Sequence, residues 1–254
     1  HYAHIFNYEG GGVSFNSGVS CKMIQGDRGR ITAEQIEASI NPPDFYHSPR
    51  TRLVCLENTT NKGGGAVYDL EEIKKIRALC DRENLALHLD GARLWNALEV
   101  TGEDPKEYGA LFDTISLCFS KGLGCPVGSV LVGSREQMHE ALRIRKVFGG
   151  GMRQAGYLAA AGSYALKHHR KDLSLDHKRA KEIAEVLENC SFVHEIQPVT
   201  TNIIIFSLKS DYDEVQFVQE LKEKQILIIG LGKGKLRMVT HRDYTQEHHT
   251  YLLT

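Results

Sequence analysis

The sequence predicts a layered α/β fold, with a large domain built on a mostly parallel sheet over residues 1–166 and a small C-terminal α+β domain over residues 167–254. In the first part, short apolar runs alternate with amphipathic helical segments, which is typical of parallel strands joined by helices. Two of these runs lead directly to a charged residue, and ligands bind at the carboxyl ends of strands in such sheets. After residue 200 the elements are fewer and the strands lie closer together in the chain, which indicates a separate small domain.

In the large domain, apolar runs predict strands at 53–56, 85–90, 114–119 and 129–132. Thr32 and Asp69 each begin a capping box, so helices are expected at about 32–40 and 69–81. Further helices are predicted at about 136–146 and from Arg153 into the 160s.

The small domain is predicted to contain fewer elements. A charged helix covers about 173–189 and a second helix covers 214–224, with strands at 202–208, 226–229 and 235–239. No internal repeat or low-complexity segment interrupts this pattern.

Charge and cysteine usage exclude several classes of partner. Lys and Arg total 31 and Asp and Glu total 32, a formal charge of -1, so no basic surface for nucleic acid or an anionic membrane is predicted. No apolar run is long enough to span a bilayer. The six cysteines form no Cys-x-x-Cys pair, so neither a metal site nor a disulfide framework is expected, and reduced thiols in a cytoplasmic protein are favoured.

Lys121 is the first candidate for chemistry, because it directly follows an apolar strand and precedes a glycine-rich segment, Gly-Leu-Gly-Cys-Pro-Val-Gly. Such a lysine is expected to be partly desolvated, which favours the neutral amine that can condense with an aldehyde cofactor. The glycines would let the backbone approach a ligand closely. The alternative is a lysine that merely snorkels at a strand end.

Asp90 is the second candidate, at the end of the predicted strand in His-Leu-Asp-Gly-Ala-Arg, residues 88–93. A pyridoxal-5′-phosphate (PLP) ring needs a carboxylate beside its pyridine nitrogen, and an acid at a strand end upstream of the lysine suits that role. The alternative is that Asp90 caps the N-terminus of the following helix.

Together, the Asp90 and Lys121 motifs resemble those of the fold-type I PLP enzymes. The particular residues in these motifs resemble the threonine aldolase branch of the β-eliminating lyases. Five motifs occur in the family order and span nearly the whole chain: Leu-Glu-Asn-Thr at 56–59, His-Leu-Asp-Gly-Ala-Arg at 88–93, Ser-Lys-Gly-Leu-Gly at 120–124, Gly-Gly-Gly-Met-Arg-Gln at 149–154 and Arg-Met-Val-Thr-His at 237–241.

The resemblance implies a role for each matching residue near the ring and the substrate. Lys121 would be the cofactor lysine, with Asp90 at the ring nitrogen. His4 matches the histidine that stacks on the ring, and His47 matches a second active-site histidine near the substrate hydroxyl. Both histidines, or a bound water, are candidates for the base that takes the hydroxyl proton.

The matching basic residues are implied to bind anions. Arg93 and Arg237 match arginines that hold the substrate carboxylate or support the cofactor, which suits the bidentate guanidinium. Lys146 and Arg153 match basic residues near the cofactor phosphate or a subunit boundary. The alternative for these two is a solvated cationic helix face.

The sequence departs from the family at its front. The Ser-Gly-Thr loop that cradles the cofactor phosphate in family members is not found here. The N-terminal part of the large domain is therefore expected to be missing, and the C-terminus is expected to be truncated. Gly230–Gly234 does not replace that loop and is predicted to be a turn between two strands.

The implied reaction is the PLP-dependent retro-aldol cleavage of β-hydroxy-α-amino acids such as L-threonine or L-allo-threonine to glycine and an aldehyde. The alternatives are another PLP-dependent β-eliminating lyase, which would release a keto acid and ammonia, and an incomplete, non-catalytic fragment of the family. The resemblance also implies a homotetramer built as a dimer of dimers. It implies no partner other than a small amino-acid substrate.

Overall fold

The computed structural model describes residues 1–254 and contains two four-stranded sheets. The strands are β1 Leu53–Glu57, β2 Ala86–Gly91, β3 Thr114–Cys118, β4 Ser129–Gly133, β5 Val193–Ile196, β6 Ile203–Leu208, β7 Ile229–Gly232 and β8 Lys235–Val239. The first sheet has the order β1-β2-β3-β4, in which β1, β2 and β3 are parallel and β4 is antiparallel to β3. The second sheet has the order β5-β6-β8-β7 and is antiparallel throughout.

The strands are connected and covered by helices. These are α1 His4–Asn7, α2 Gly12–Ser17, α3 Ala33–Glu37, α4 Leu70–Arg82, α5 Leu94–Thr101, α6 Pro105–Gly109, α7 Arg135–Val147, α8 Gly156–His168, α9 Leu173–Glu188, α10 Glu214–Glu223 and α11 Gln246–Leu253. None of them combines the length and apolar character needed to cross a bilayer. The predicted α/β class, with a mostly parallel first sheet, is confirmed.

Several elements differ from the sequence-based expectation. Helix α3 stops at Glu37, and the strand expected at 226–229 instead occupies Ile229–Gly232. That strand lies later because its pairing with β8 begins only at Ile229. Helix α6 and strand β5 were not expected, since each is only four or five residues long, and a helix at the position of α5 was expected only if Asp90 caps it.

The first sheet has one apolar face and one polar face. Side chains alternate between faces along a strand, so Leu87 and Leu89 of β2 point into the main core, against Ile73 and Ile76 of α4. The opposite face carries polar side chains in two cross-strand rows: Cys55–His88–Thr114 and Glu57–Asp90–Ser116. The second row, Glu57–Asp90–Ser116, lies toward the carboxyl ends of the parallel strands and is called the strand-end row.

Buried hydrogen bonds tie the strand ends of the second sheet to helix α9 and to the loop after β1. The Thr240 hydroxyl donates to the Asp176 carbonyl oxygen at 2.7 Å, and the Asn202 amide donates to the Thr240 carbonyl oxygen at 2.9 Å. The Thr201 hydroxyl donates to the Gly65 carbonyl oxygen at 3.0 Å, which ties the second sheet to the loop after β1. The division into domains at residue 166 falls in the last turn of α8 and stays a prediction.

Two adjacent titratable residues are buried in α9. Desolvation raises the pKa of Asp176 from 3.8 to about 6, and desolvation lowers the pKa of His177 from 6.5 to about 4. The His177 Nε2 atom lies 3.0 Å from the Asn96 amide nitrogen of α5, so the neutral ring has a partner. Both groups are therefore uncharged in the folded chain near pH 5.

We expect Asp176→Asn to stabilise the protein above pH 6 but not near pH 4. The raised pKa means that the folded state binds the proton more tightly, so the carboxyl lowers stability as the pH rises from about 4 to about 6. The gain should reach about 3 kcal/mol at most and can be measured by urea unfolding from pH 4 to 8. Asp211→Asn, on an exposed turn, is the control, and an equal gain in both variants at every pH would contradict the prediction.

Candidate active site

Two neighbouring parallel strands deliver Asp90 and Lys121 to the same edge of the first sheet. Asp90 of β2 pairs in register with Ser116 of β3, and Lys121 lies three residues beyond the end of β3. A tight turn follows, in which the Gly124 N–H donates to the Lys121 carbonyl oxygen at 2.8 Å. Gly124 has φ +71°, a left-handed conformation that favours glycine, so the turn requires glycine at this position.

The Asp90 carboxylate is buried, with 9% of the residue exposed, and its Oδ1 atom accepts the Ala92 N–H at 3.1 Å. Helix α5 begins only at Leu94, and its N-cap residue is Arg93, so the alternative of Asp90 as a helix cap is wrong. One backbone hydrogen bond leaves a buried carboxylate with further acceptor capacity. The arrangement suits a cationic partner at this strand end.

Arg93 and Arg237 converge on this edge from different sheets. Burial lowers the pKa of the Arg93 guanidinium, and the nearby charge of Arg237 lowers it further. Nη1 of Arg237 donates to Asn61 Oδ1 at 2.7 Å, whereas its Nε is buried without a partner. Two neighbouring guanidinium groups repel, so an anion between them would be stabilised by both.

The environment of Arg237 leaves its guanidinium without an acidic partner. Its side-chain hydrogen bond goes to the neutral Asn61 side chain. Arg237 is half-buried. Its strand β8 is flanked by β6 and β7 but opens toward the loop after β1.

Sequence reasoning missed Glu57 and Asn61 as site residues. Glu57 lies at the end of β1, in register with Asp90, and its carboxylate accepts the backbone N–H groups of His4 and Asn61, each at 2.7 Å. Burial raises the pKa of Glu57. An acid at the end of a buried strand, as at Asp90, was the available signal.

His4 is brought to this cluster, since its backbone is bound to Glu57 and its ring is half-buried. The ring lies against Tyr8, with 4.7 Å between centroids, and its Nδ1 atom is 3.3 Å from a carboxylate oxygen of Glu9. The backbone of His4 is thus fixed at the strand-end row, and the stacking role of its ring stays a prediction.

Lys121 is exposed, which contradicts the expected desolvation. The turn that carries Lys121 is nevertheless held in place by its other residues. Leu123 is buried, and His169 Nδ1 lies 2.8 Å from the Leu123 carbonyl oxygen. Gly122 packs so closely that a Cβ atom there would lie 2.8 Å from Leu173 Cδ2. The backbone is anchored while the amine remains accessible.

Three predicted site residues are not brought to this cluster. His47 is exposed in the loop before β1, with its ring 3.9 Å from that of Tyr46. Lys146 lies in the last turn of α7 and Arg153 follows that helix, and both are exposed. Helix α7 packs on the edge strand β4. The roles of all three stay predictions.

The residues present fit PLP. The buried Asp90 carboxylate accepts one backbone hydrogen bond and can accept another from a cationic ring nitrogen, the accessible Lys121 amine lies beyond the neighbouring strand, and Arg237 Nε is a buried donor without a partner. Carboxylate, amine and guanidinium groups are the donor set that a pyridinium aldehyde and an amino-acid carboxylate require.

Comparison with known proteins agrees with this chemistry. Residues 1–211 match the family model described as beta-eliminating lyase. Low-specificity L-threonine aldolase 1 of Arabidopsis thaliana is 38% identical over 99% of this chain and 72% of its own length. Low specificity L-threonine aldolase of Escherichia coli (strain K12) is 37% identical over 96% of this chain and 71% of its own length.

Solved structures agree on the fold. The Leishmania major threonine aldolase has a TM-score of 0.82 at 23% identity, covering 99% of this chain and 73% of its own. A putative L-allo-threonine aldolase from Listeria monocytogenes has a TM-score of 0.81 at 20% identity, covering 99% and 71%. These similarities confirm the fold-type I architecture.

We expect His169→Ala to loosen the Lys121 turn, because it removes the side chain that binds the Leu123 carbonyl oxygen. Amide hydrogen exchange at Gly124 should accelerate about tenfold, the loss of one hydrogen bond. His169→Asn should keep the slow exchange, since its amide can donate from the same position. The control is His168→Ala on the exposed face of α8, and equal rates in wild type and His169→Ala would refute the anchoring role.

Proposed function

Because the chain belongs to the beta-eliminating lyase family, we propose that it cleaves L-threonine and L-allo-threonine to glycine and an aldehyde. The family is PLP-dependent, and its members similar to this chain are carbon–carbon lyases. The observation that carries the proposal is the strand-end row, where the buried Asp90 carboxylate faces the same sheet edge as the Lys121 turn and the two arginines.

Lys121, His4 and Asp90 each have a proposed task at this row. When bound, PLP supplies the electron sink for the electrons released from the Cα–Cβ bond. Lys121 would hold the cofactor through its amine, and His4 would stack on the ring. Asp90 would keep the proton on the ring nitrogen, since opposite charges about 4 Å apart in a semi-buried site attract by roughly 4 kcal/mol.

The arginines would orient the amino acid. A guanidinium fork can bind a carboxylate through two parallel hydrogen bonds, which fixes rotation about the Cα–carboxylate bond. Arg237 comes from the proposed small domain, residues 167–254, and Arg93 from the proposed large domain, residues 1–166. The substrate site would therefore lie between the two domains.

The base that removes the proton from the substrate hydroxyl remains a choice among His4, His47 and a bound water. His4 is favoured by position, because it lies in the strand-end cluster, whereas His47 lies on an exposed loop. The distinction is testable at saturating PLP, since removing the true base slows bond cleavage even when the cofactor site is filled.

We further propose that Lys146 and Arg153 lie at a subunit boundary of a cytoplasmic homotetramer, a dimer of dimers. They are surrounded by exposed apolar side chains: Val147 is 81% exposed, Phe148 61% and Met152 62%. An apolar patch rimmed by basic residues is typical of an interaction surface. A basic residue there would also be available to a cofactor phosphate on the adjacent subunit.

Product analysis tests the reaction. The purified protein, supplied with PLP and L-allo-threonine, should release glycine and acetaldehyde in equal amounts. Another β-eliminating lyase would instead release a keto acid and ammonia, and a non-catalytic fragment would release neither. Either of those results would overturn the proposal.

We expect Lys121→Ala to abolish covalent attachment of the cofactor. Borohydride treatment of the wild type with PLP should add the reduced cofactor to the peptide that contains Lys121, as measured by mass spectrometry. The variant should carry no such addition, and its activity should fall about a hundredfold or more. Lys167→Ala, an exposed lysine on α8, is the control; cofactor mass on another lysine of the wild type would disprove the assignment.

We expect Arg237→Lys to raise KM for L-allo-threonine about tenfold while cofactor binding survives, because an ammonium cannot reproduce the bidentate fork. Steady-state kinetics and PLP titration measure the two effects separately. Arg82→Lys, in surface ion pairs with Glu37 and Glu83, is the control. Loss of cofactor binding with an unchanged KM would transfer the carboxylate-binding role to Arg93.

A further inference from the structure

Glu57 connects the start of α1 to the loop after β1. It is buried, with 8% of the residue exposed, at the end of β1. One carboxylate oxygen accepts the His4 N–H and the other accepts the Asn61 N–H, both at 2.7 Å. Glu57 makes no ion pair, so its burial is compensated by these two hydrogen bonds.

Each of the two N–H groups belongs to a segment with a task. The first fixes the start of α1, which carries the half-buried ring of His4. The second fixes the loop after β1, in which the Asn61 side chain accepts the Arg237 Nη1 donor at 2.7 Å. A continuous path of short contacts therefore runs from His4 through Glu57 and Asn61 to Arg237.

We propose that Glu57 is a positioning residue that sets the placement of Arg237, through Asn61, relative to His4. This inference rests on the proposed function, in which His4 faces the cofactor ring and Arg237 binds the substrate carboxylate. The substrate carboxylate would then be held at a fixed distance from the ring, which sets the orientation of the bond to be cleaved. Glu57 itself touches no reacting atom in this scheme.

A carboxylate of this length is needed because both N–H groups require an acceptor. In Glu57→Gln the amide offers one acceptor oxygen, while its NH₂ group faces the second N–H as another donor. Aspartate is one methylene shorter and would not reach both groups. The chain contains a matched carboxylate in Glu214, whose two oxygens accept the N–H groups of Gly232 at 2.9 Å and Gly234 at 2.8 Å on an exposed turn.

The first measurement needs no cofactor. Amide hydrogen exchange of the apo protein should accelerate about tenfold at His4 or Asn61 in Glu57→Gln, and Glu214→Gln should leave both amides unchanged. Unchanged exchange at both amides in Glu57→Gln would overturn the inference. This measurement does not depend on activity. If the wild type produced no glycine, that result would overturn the proposed function but not the role of Glu57 in fixing the two segments.

The second measurement separates positioning from folding. Glu57→Gln should raise KM for L-allo-threonine about tenfold, and Asn61→Ala, which removes only the Arg237 contact, should reproduce that rise with slow exchange at His4 retained. Glu214→Gln should keep the wild-type KM. If Asn61→Ala had the same KM as the wild type, the proposed path from Glu57 through Asn61 to Arg237 would be overturned. This holds even if Glu57→Gln does not fold, because Asn61→Ala tests the path by itself.

Discussion

Parallel pairing of β1, β2 and β3 is the constraint on which the site depends. The register places Glu57, Asp90 and Ser116 side by side, and the period of two along each strand turns this row away from the leucines of the core. A slip of one residue in β2 would bury Asp90 in the core and expose Leu89. Packing of the apolar face in the core therefore fixes the register of the strands. That register in turn determines which side chains lie on the polar face at the candidate site.

Two carboxylates buried at one sheet edge are unfavourable neighbours, and the charge of Asp90 adds to burial in raising the pKa of Glu57. The chain meets this cost with backbone N–H groups, two at Glu57 and one at Asp90, and with the nearby positive charges of Arg93 and Arg237. The arginines in turn repel one another. The row is electrostatically incomplete by itself, and a ligand with one positive and one negative group would balance it.

Local patterns in the sequence predicted much of the fold. Helix α4 was predicted to within one residue because its capping residue and apolar spacing are both local signals. The positions of Asp90 near the end of β2 and of Lys121 after β3 were predictable for the same reason. Three features could not be predicted from local patterns: the Glu57–His4 contact, the Asn61–Arg237 contact and the exposure of Lys121. They depend on loops whose positions are set by the tertiary structure.

The adjacent pair in α9 has a consequence for folding. Between about pH 4 and 6 the unfolded chain carries a charged aspartate and a charged histidine, whereas the folded chain carries Asp176 and His177 both neutral. Folding thus moves the equivalent of one proton from the imidazole to the carboxyl, with no net exchange with solvent. The helix buries two ionisable residues without burying a charge, and in this interval the contribution of the pair to the folding equilibrium does not depend on proton concentration.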